Sequence, residues 1–176
     1  MLRLRNASPP LRALLVSAAA ALLAPPLAAQ PSNDTCTNPI QLVDGTNSGF
    51  TTIGATVTTG LGFTCSNGPN PDVWFEYTAT CSGSVAFSLC NAAGGSAGYN
   101  AALSVYSGSC LPNPATGLVL LGCNDDFCGN APQVTANCVT AGQVLIVRVG
   151  GLQGDTGIFD IAVACNPPAP APPNDD

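Results

Sequence analysis

The chain has 176 residues, with ten Asp or Glu, four Lys or Arg, nine Cys and no His. Arg3, Arg5 and Arg12 hold three of the four basic charges, so beyond residue 29 Arg148 stands alone against ten acids, a formal charge of −9. Such a surface builds no basic patch for phosphates, which excludes nucleic acid as a partner; anionic membrane surfaces are disfavoured for the same reason, and cations are its natural small partners.

In chain order, residues 1–29 read as a secretory signal peptide. Arg3, Arg5 and Arg12 make a basic start, Ala13–Ala24 is a short apolar run, and Leu27-Ala28-Ala29 supplies a small-residue cleavage site before Gln30. The other reading, a membrane anchor, needs about 20 apolar residues, and Pro25-Pro26 ends the run earlier. No later stretch is long enough to insert in a membrane after cleavage. Residues 30–165 then form one domain. All nine Cys follow the signal segment, which points to an oxidising, extracellular or cell-surface location and a disulfide framework. The odd count leaves at least one thiol unpaired or joined to another chain.

Pro31–Cys36 opens the domain as an extended, turn-rich stretch. Ile40–Val43 and the Thr-rich Thr51–Thr59 are predicted strands, and Gly60–Pro71 a loop. Asp72–Cys90 is the centre of the chain. Val73, Phe75 and Tyr77 alternate with Trp74 and Glu76, and Val85, Phe87 and Leu89 alternate with Ala86 and Ser88. This is the period-two strand signal, read as a hairpin joined by a tight turn at Cys81–Ser84. The hairpin holds the only Trp and the only Glu, and it is expected to anchor the core.

Further strands are predicted at Ala101–Tyr106, Leu118–Gly122 (short and buried), Pro132–Cys138, Gln143–Val149 and Phe159–Val163. Pro132 is tolerated at a strand start. No window holds a helical period. About nine short strands punctuated by Gly, Pro and Asn predict an all-β fold, a jelly-roll-like antiparallel β-sandwich stapled by disulfides. Residues 166–176 are a Pro/Ala-rich linker of the semi-rigid kind. Pro173-Asn174-Asp175 echoes Pro31-Ser32-Asn33-Asp34, so the end reads either as the opening of a further repeat or as an acidic tail.

Cys123 and Cys128 flank Asn124-Asp125-Asp126 and are close enough in sequence to bridge. The pair reads as a disulfide rather than half a zinc site, because there is no His and no CxxC. Cys90–Cys110 is a second candidate bridge. Thr78-Ala79-Thr80-Cys81 is echoed by Thr135-Ala136-Asn137-Cys138, which makes Cys81–Cys138 a third. Cys36, Cys65 and Cys165 would then share one bridge and leave one thiol, a connectivity that spacing does not decide. Asn124, Asp125 and Asp126 are candidate metal ligands, since a cation relieves the repulsion of adjacent carboxylates; the other reading is a solvated turn. Glu76 and Arg148 lie in central strands and are either a cross-strand ion pair or two separate charges.

Taken in order, Asn33-Asp34-Thr35, Asp72–Tyr77, Leu103–Tyr106, Asn124-Asp125-Asp126, Val144–Gly150 and Thr156–Phe159 make a chain that resembles the bacterial pre-peptidase C-terminal domain, especially its Cys-rich secreted relatives. The resemblance spans Asn33–Cys165. It implies a jelly-roll-like sandwich without catalysis of its own, appended to secreted enzymes or repeated in tandem on surface proteins. It also implies calcium as a possible cofactor, with Asn33, Asp34 and Asp72 at the matching ligand positions. Calcium takes six to eight oxygens, so backbone or water would complete that shell; alternatively Asn33-Asp34 simply turns the chain.

Functionally, the chain is expected to be a secreted, non-catalytic binding or adhesion module for an extracellular polymer or protein, with Tyr99, Tyr106 and Trp74 as first contacts if exposed; their other reading is core packing, which fits Trp74 better. The alternative is a structural subunit of an extracellular assembly, linked through strand edges or the odd Cys. An enzyme is disfavoured: without His or Lys, general acid–base work falls to a few carboxylates, and Asp125 and Asp126 are neighbours on one turn.

Overall fold

The computed structural model describes residues 29–61, 65 and 70–168. The predicted signal segment up to residue 28 and the tail from residue 169 lie outside them. Ten strands are formed: β1 (Ile40–Leu42), β2 (Gly45–Thr51), β3 (Asp72–Thr78), β4 (Gly83–Ser88), β5 (Ser96–Ala97), β6 (Ala101–Gly108), β7 (Leu118–Asn124), β8 (Gln133–Val139), β9 (Val144–Gly151) and β10 (Ile158–Asn166). The first sheet runs β1-β3-β9-β6-β7 and the second β2-β10-β4-β8, with β5 added beside β10. Without β1 and β5, eight antiparallel strands divide between two sheets, β3-β9-β6-β7 and β2-β10-β4-β8, the order of a jelly roll, as expected. The short β1 is parallel to β3, so the first sheet is mixed.

Period-two alternation places Val73, Phe75 and Tyr77 of β3, Leu103 and Val105 of β6, and Leu145, Val147 and Val149 of β9 on the inner face of the first sheet. Val85, Phe87, Val134, Ala136, Phe159, Ile161 and Val163 face them from the second. Edge-to-face rings tie the layers together: Phe75 to Phe159 at 5.9 Å and Tyr77 to Phe87 at 5.6 Å between centroids. Such aromatic pairs add about 0.5–1.5 kcal/mol each beyond area burial.

Three local expectations are corrected. Asp72–Cys90 is not a hairpin: β3 pairs with β9 and β1, whereas β4 pairs with β10 and β8 in the opposite sheet. Alternation demands that one face be buried, and a strand directly opposite satisfies that demand as well as a strand alongside. Thr51–Thr59 is not a strand. The chain leaves the sheet after Thr51, makes a turn closed by Ala55 N–H on Thr52 O (3.0 Å), and crosses the outer face of the first sheet. Leu118–Gly122 does form a strand, but Val119, Leu120 and Leu121 are exposed because β7 is the edge of its sheet.

Candidate functional site

Because Val73, Phe75 and Tyr77 point inward, Asp72, Trp74 and Glu76 point to the outer face of the first sheet. Register brings Arg148 of β9 opposite Trp74, and Ser104 of β6 next to Arg148. This outer face is not open to water. Residues 33–36 and 55–61 lie across it and close a second apolar cluster of Cys36, Trp74, Tyr106, Cys110, Leu118 and Ile146. Arg148 is 1% exposed and Asp72 0%. The Arg148 guanidinium donates from Nη2 to Asp72 Oδ2 at 2.7 Å and from Nη1 to Leu61 O at 2.7 Å, and it lies 5.2 Å from the Trp74 ring centre. Burying one such charge alone costs several kcal/mol, so the pair persists only with its partners in place.

The cover is stitched down by threonines. Asp72 accepts from Thr58 N (3.1 Å) and Thr58 Oγ1 (2.7 Å), and Trp74 Nε1 donates to Thr58 Oγ1 at 3.2 Å. Asp34 accepts from Thr56 N and Thr56 Oγ1, both at 2.6 Å, and Asn33 Nδ2 donates to Trp74 O at 2.9 Å. The structure therefore brings Asn33, Asp34 and Asp72 to one region. Its chemistry there does not fit calcium. The carboxylates already hold backbone, hydroxyl and guanidinium donors, and the Arg148 cation sits where a second cation would be repelled. Among the described residues, no three His, Cys, Asp or Glu side chains group as a metal site.

Glu76 is not the partner of Arg148. Asp72 and Glu76 lie two residues to either side of Trp74, on the same face. Asp72 is beneath the cover, whereas Glu76 sits opposite Ile146 and remains half-buried, lining a shallow cleft with Cys36 and Cys110. Burial selects the acid. Tyr99 and Tyr106 are buried and so are not exposed contacts, and Trp74 is packed, the reading that fitted it better. Burial pushes the Tyr99 hydroxyl above its usual range; that of Tyr77 is raised first by burial and then by its 2.6 Å bond to the Asp44 carboxylate.

Four disulfides form, and none is among the three expected pairs: Cys36–Cys110, Cys65–Cys123, Cys81–Cys165 and Cys90–Cys128. The free thiol is Cys138, exposed on β8. Cys90–Cys110 fails because the two residues sit at opposite ends of β6. Cys90 lies by Asn130 and Ala131, next to the start of β6, while Cys110 follows its far end. At about 3.3 Å per residue, eight residues keep them roughly 26 Å apart. Cys81–Cys138 fails because Cys138 is an extra residue in a bulge opposite Gly83 and Ser84, at φ 57°, with its side chain in solvent. Cys123–Cys128 fails because Cys123 is bonded to Cys65 and Cys128 to Cys90, just past the end of β4.

That last difference creates an exposed loop held at both ends. The loop after β7 is pinned by Cys65–Cys123 on one side and Cys90–Cys128 on the other. Between them Asp126 and Phe127 are exposed, the latter at 60%, and Asp125 is half-buried. Asn124 Oδ1 is a buried acceptor with no hydrogen-bond partner among the described residues. Beside the loop lies a cleft of about 270 Å³, with Cys90, Cys128, Asn91, Asn130 and Ala97 in its wall. The sequence reading found the acids but not Phe127, whose signal was its isolation: a large aromatic in a polar turn, outside any alternating run.

Comparison with protein-family models, with curated proteins and with solved structures yields no match. Among the described residues, no helix is long and apolar enough to cross a membrane.

Proposed function

We propose that the protein is a secreted, non-catalytic binding module of the pre-peptidase C-terminal kind, and that the loop Asn124–Asn130 is its contact surface. The observation that carries this reading is the double pinning of a short loop that exposes Phe127 beside two carboxylates. A loop fixed before binding loses little conformational entropy on capture, and an exposed aromatic is a common anchor. The partner is an extracellular polymer or protein with apolar patches and positive or hydroxyl-rich groups. Disulfides in number support an oxidising location.

The acids favour binding over catalysis. Asp34, Asp44, Asp72, Asp155 and Asp160 all accept bonds from their own fold. Calcium has one supporting feature at this loop rather than at the N-terminal acids, the unpartnered Asn124 Oδ1 beside Asp125 and Asp126. The test is a binding screen against extracellular polymers with calcium and with chelator, using the oxidised chain and Phe127→Ala. We expect Phe127→Ala to weaken capture at least about tenfold with an unchanged melting temperature. Capture of nothing under either condition, or equal capture by the variant, overturns the proposal.

A further inference from the structure

Asp34, Asp44, Asp72, Asp155 and Asp160 spend their carboxylates on donors of their own fold. Glu76 does not. Among the described residues no donor reaches its carboxylate; only its backbone carbonyl accepts, from Gln41 Nε2 at 3.2 Å. Glu76 stands where the cover over the first sheet ends: Trp74, two residues before it, is buried, and Thr78, two residues after it, is exposed. There it lines a cleft of about 220 Å³ with Pro39, the Cys36–Cys110 bridge, Leu111, Val144 and Ile146. Leu111, 66% exposed, and Val144, 40% exposed, give that cleft an apolar rim. A half-buried carboxylate with apolar neighbours and no donor is an anion still open to a cation from outside.

We propose that this cleft receives a lysine or arginine side chain of a different protein. The cation is not this chain's own. Beyond residue 29 the only basic residue is Arg148, which is 1% exposed and held by Asp72, so neither the domain nor a second copy of it can fill the cleft. A metal ion is a poor occupant, since calcium takes six to eight oxygens and one carboxylate is far short of that. Lysine and arginine fit because their methylene stems lie along apolar walls while the charged head meets the acid. The cleft is below the roughly 300–1,000 Å³ of small-molecule sites, and an exposed ion pair contributes little by itself. Affinity therefore requires that Leu111 and Val144 also be covered, by residues flanking the cation, which a free amine lacks. The formal charge of −9 beyond residue 29 draws such a basic segment towards the surface. The cleft follows the end of β6, whereas the Phe127 loop lies beside its start, so this inference does not rest on the role of that loop.

The probe is a capped Leu-Arg-Leu tripeptide, beside its citrulline counterpart, which keeps the shape without the charge, and butylamine. Binding to the oxidised chain is followed at low salt by methyl NMR shifts, with melting curves for each variant. We expect saturable binding that moves the Leu111 and Val144 methyl signals. It should weaken at least about fivefold in Glu76→Gln and with citrulline, and less than about twofold in Asp126→Asn, which removes an equal charge elsewhere. Leu111→Ser should weaken it with Glu76 intact. If Glu76→Gln melts below the parent, Val144→Arg takes its place, since a cation supplied from within the cleft should exclude the tripeptide. Absence of saturable binding, equal loss in the two charge variants, unchanged binding in Val144→Arg, or butylamine bound as tightly as the tripeptide would each overturn the proposal.

Discussion

The outer faces of the two sheets are built to opposite rules. On the first, Asp72, Trp74, Tyr106, Ile146 and Arg148 are buried under a layer of chain held by Cys36–Cys110 and by hydrogen bonds of Thr56 and Thr58. On the second, Ser84, Ala86, Thr135, Asn137 and Ala164 are small or polar and meet solvent. The first sheet is therefore buried on both faces, and β9 reads as an almost unbroken apolar run; the second keeps the in–out alternation of a half-exposed sheet. A covered face can hold an ion pair and an indole as structural parts, and it takes them away from ligands.

Breaking the cover is expected to have the largest effect. Arg148→Ala leaves the Asp72 carboxylate buried without its cation and should cost about 3–5 kcal/mol in denaturant unfolding, whereas Asn137→Ala on the bare face should stay within about 0.5 kcal/mol. Equal losses at the two positions would erase the distinction between the faces. Next, replacing Cys36 and Cys110 by Ser opens a loop of sequence separation 74 and frees the cover; a loss of about 2–5 kcal/mol is expected, measured against Cys138→Ser, which should be silent. Smaller still is an alkaline effect. Tyr77 and Tyr99 are raised above the usual 10.0, so their neutral forms are favoured in the fold. Their contribution is complete below pH 10 and is lost as pH rises further. Melting temperature should fall on that side, and less steeply in Tyr99→Phe.

How much was legible can be argued from single residues. Val73, Phe75 and Tyr77 announced an inward face, and they have one. Asn33, Asp34 and Asp72, read as candidate metal ligands, are bonded within the fold: Asp34 accepts from Thr56, Asp72 accepts from Thr58 and Arg148, and Asn33 donates to Trp74 O. Nothing local marked Thr56 and Thr58 as their partners, since a Thr-rich run is ordinary strand composition. Nor could alternation place β4 opposite β3 instead of beside it.

By itself, the order of residues determined that this chain is all-β, oxidised and acidic, because strand period, cysteine number and charge are local or additive properties. Which cysteines meet, which acid holds Arg148 and which aromatics see water were decided only when two sheets and a covering loop came together. Those outcomes depend on distances between segments as far apart in sequence as Cys81 and Cys165, and on burial, a property that belongs to the packed chain alone.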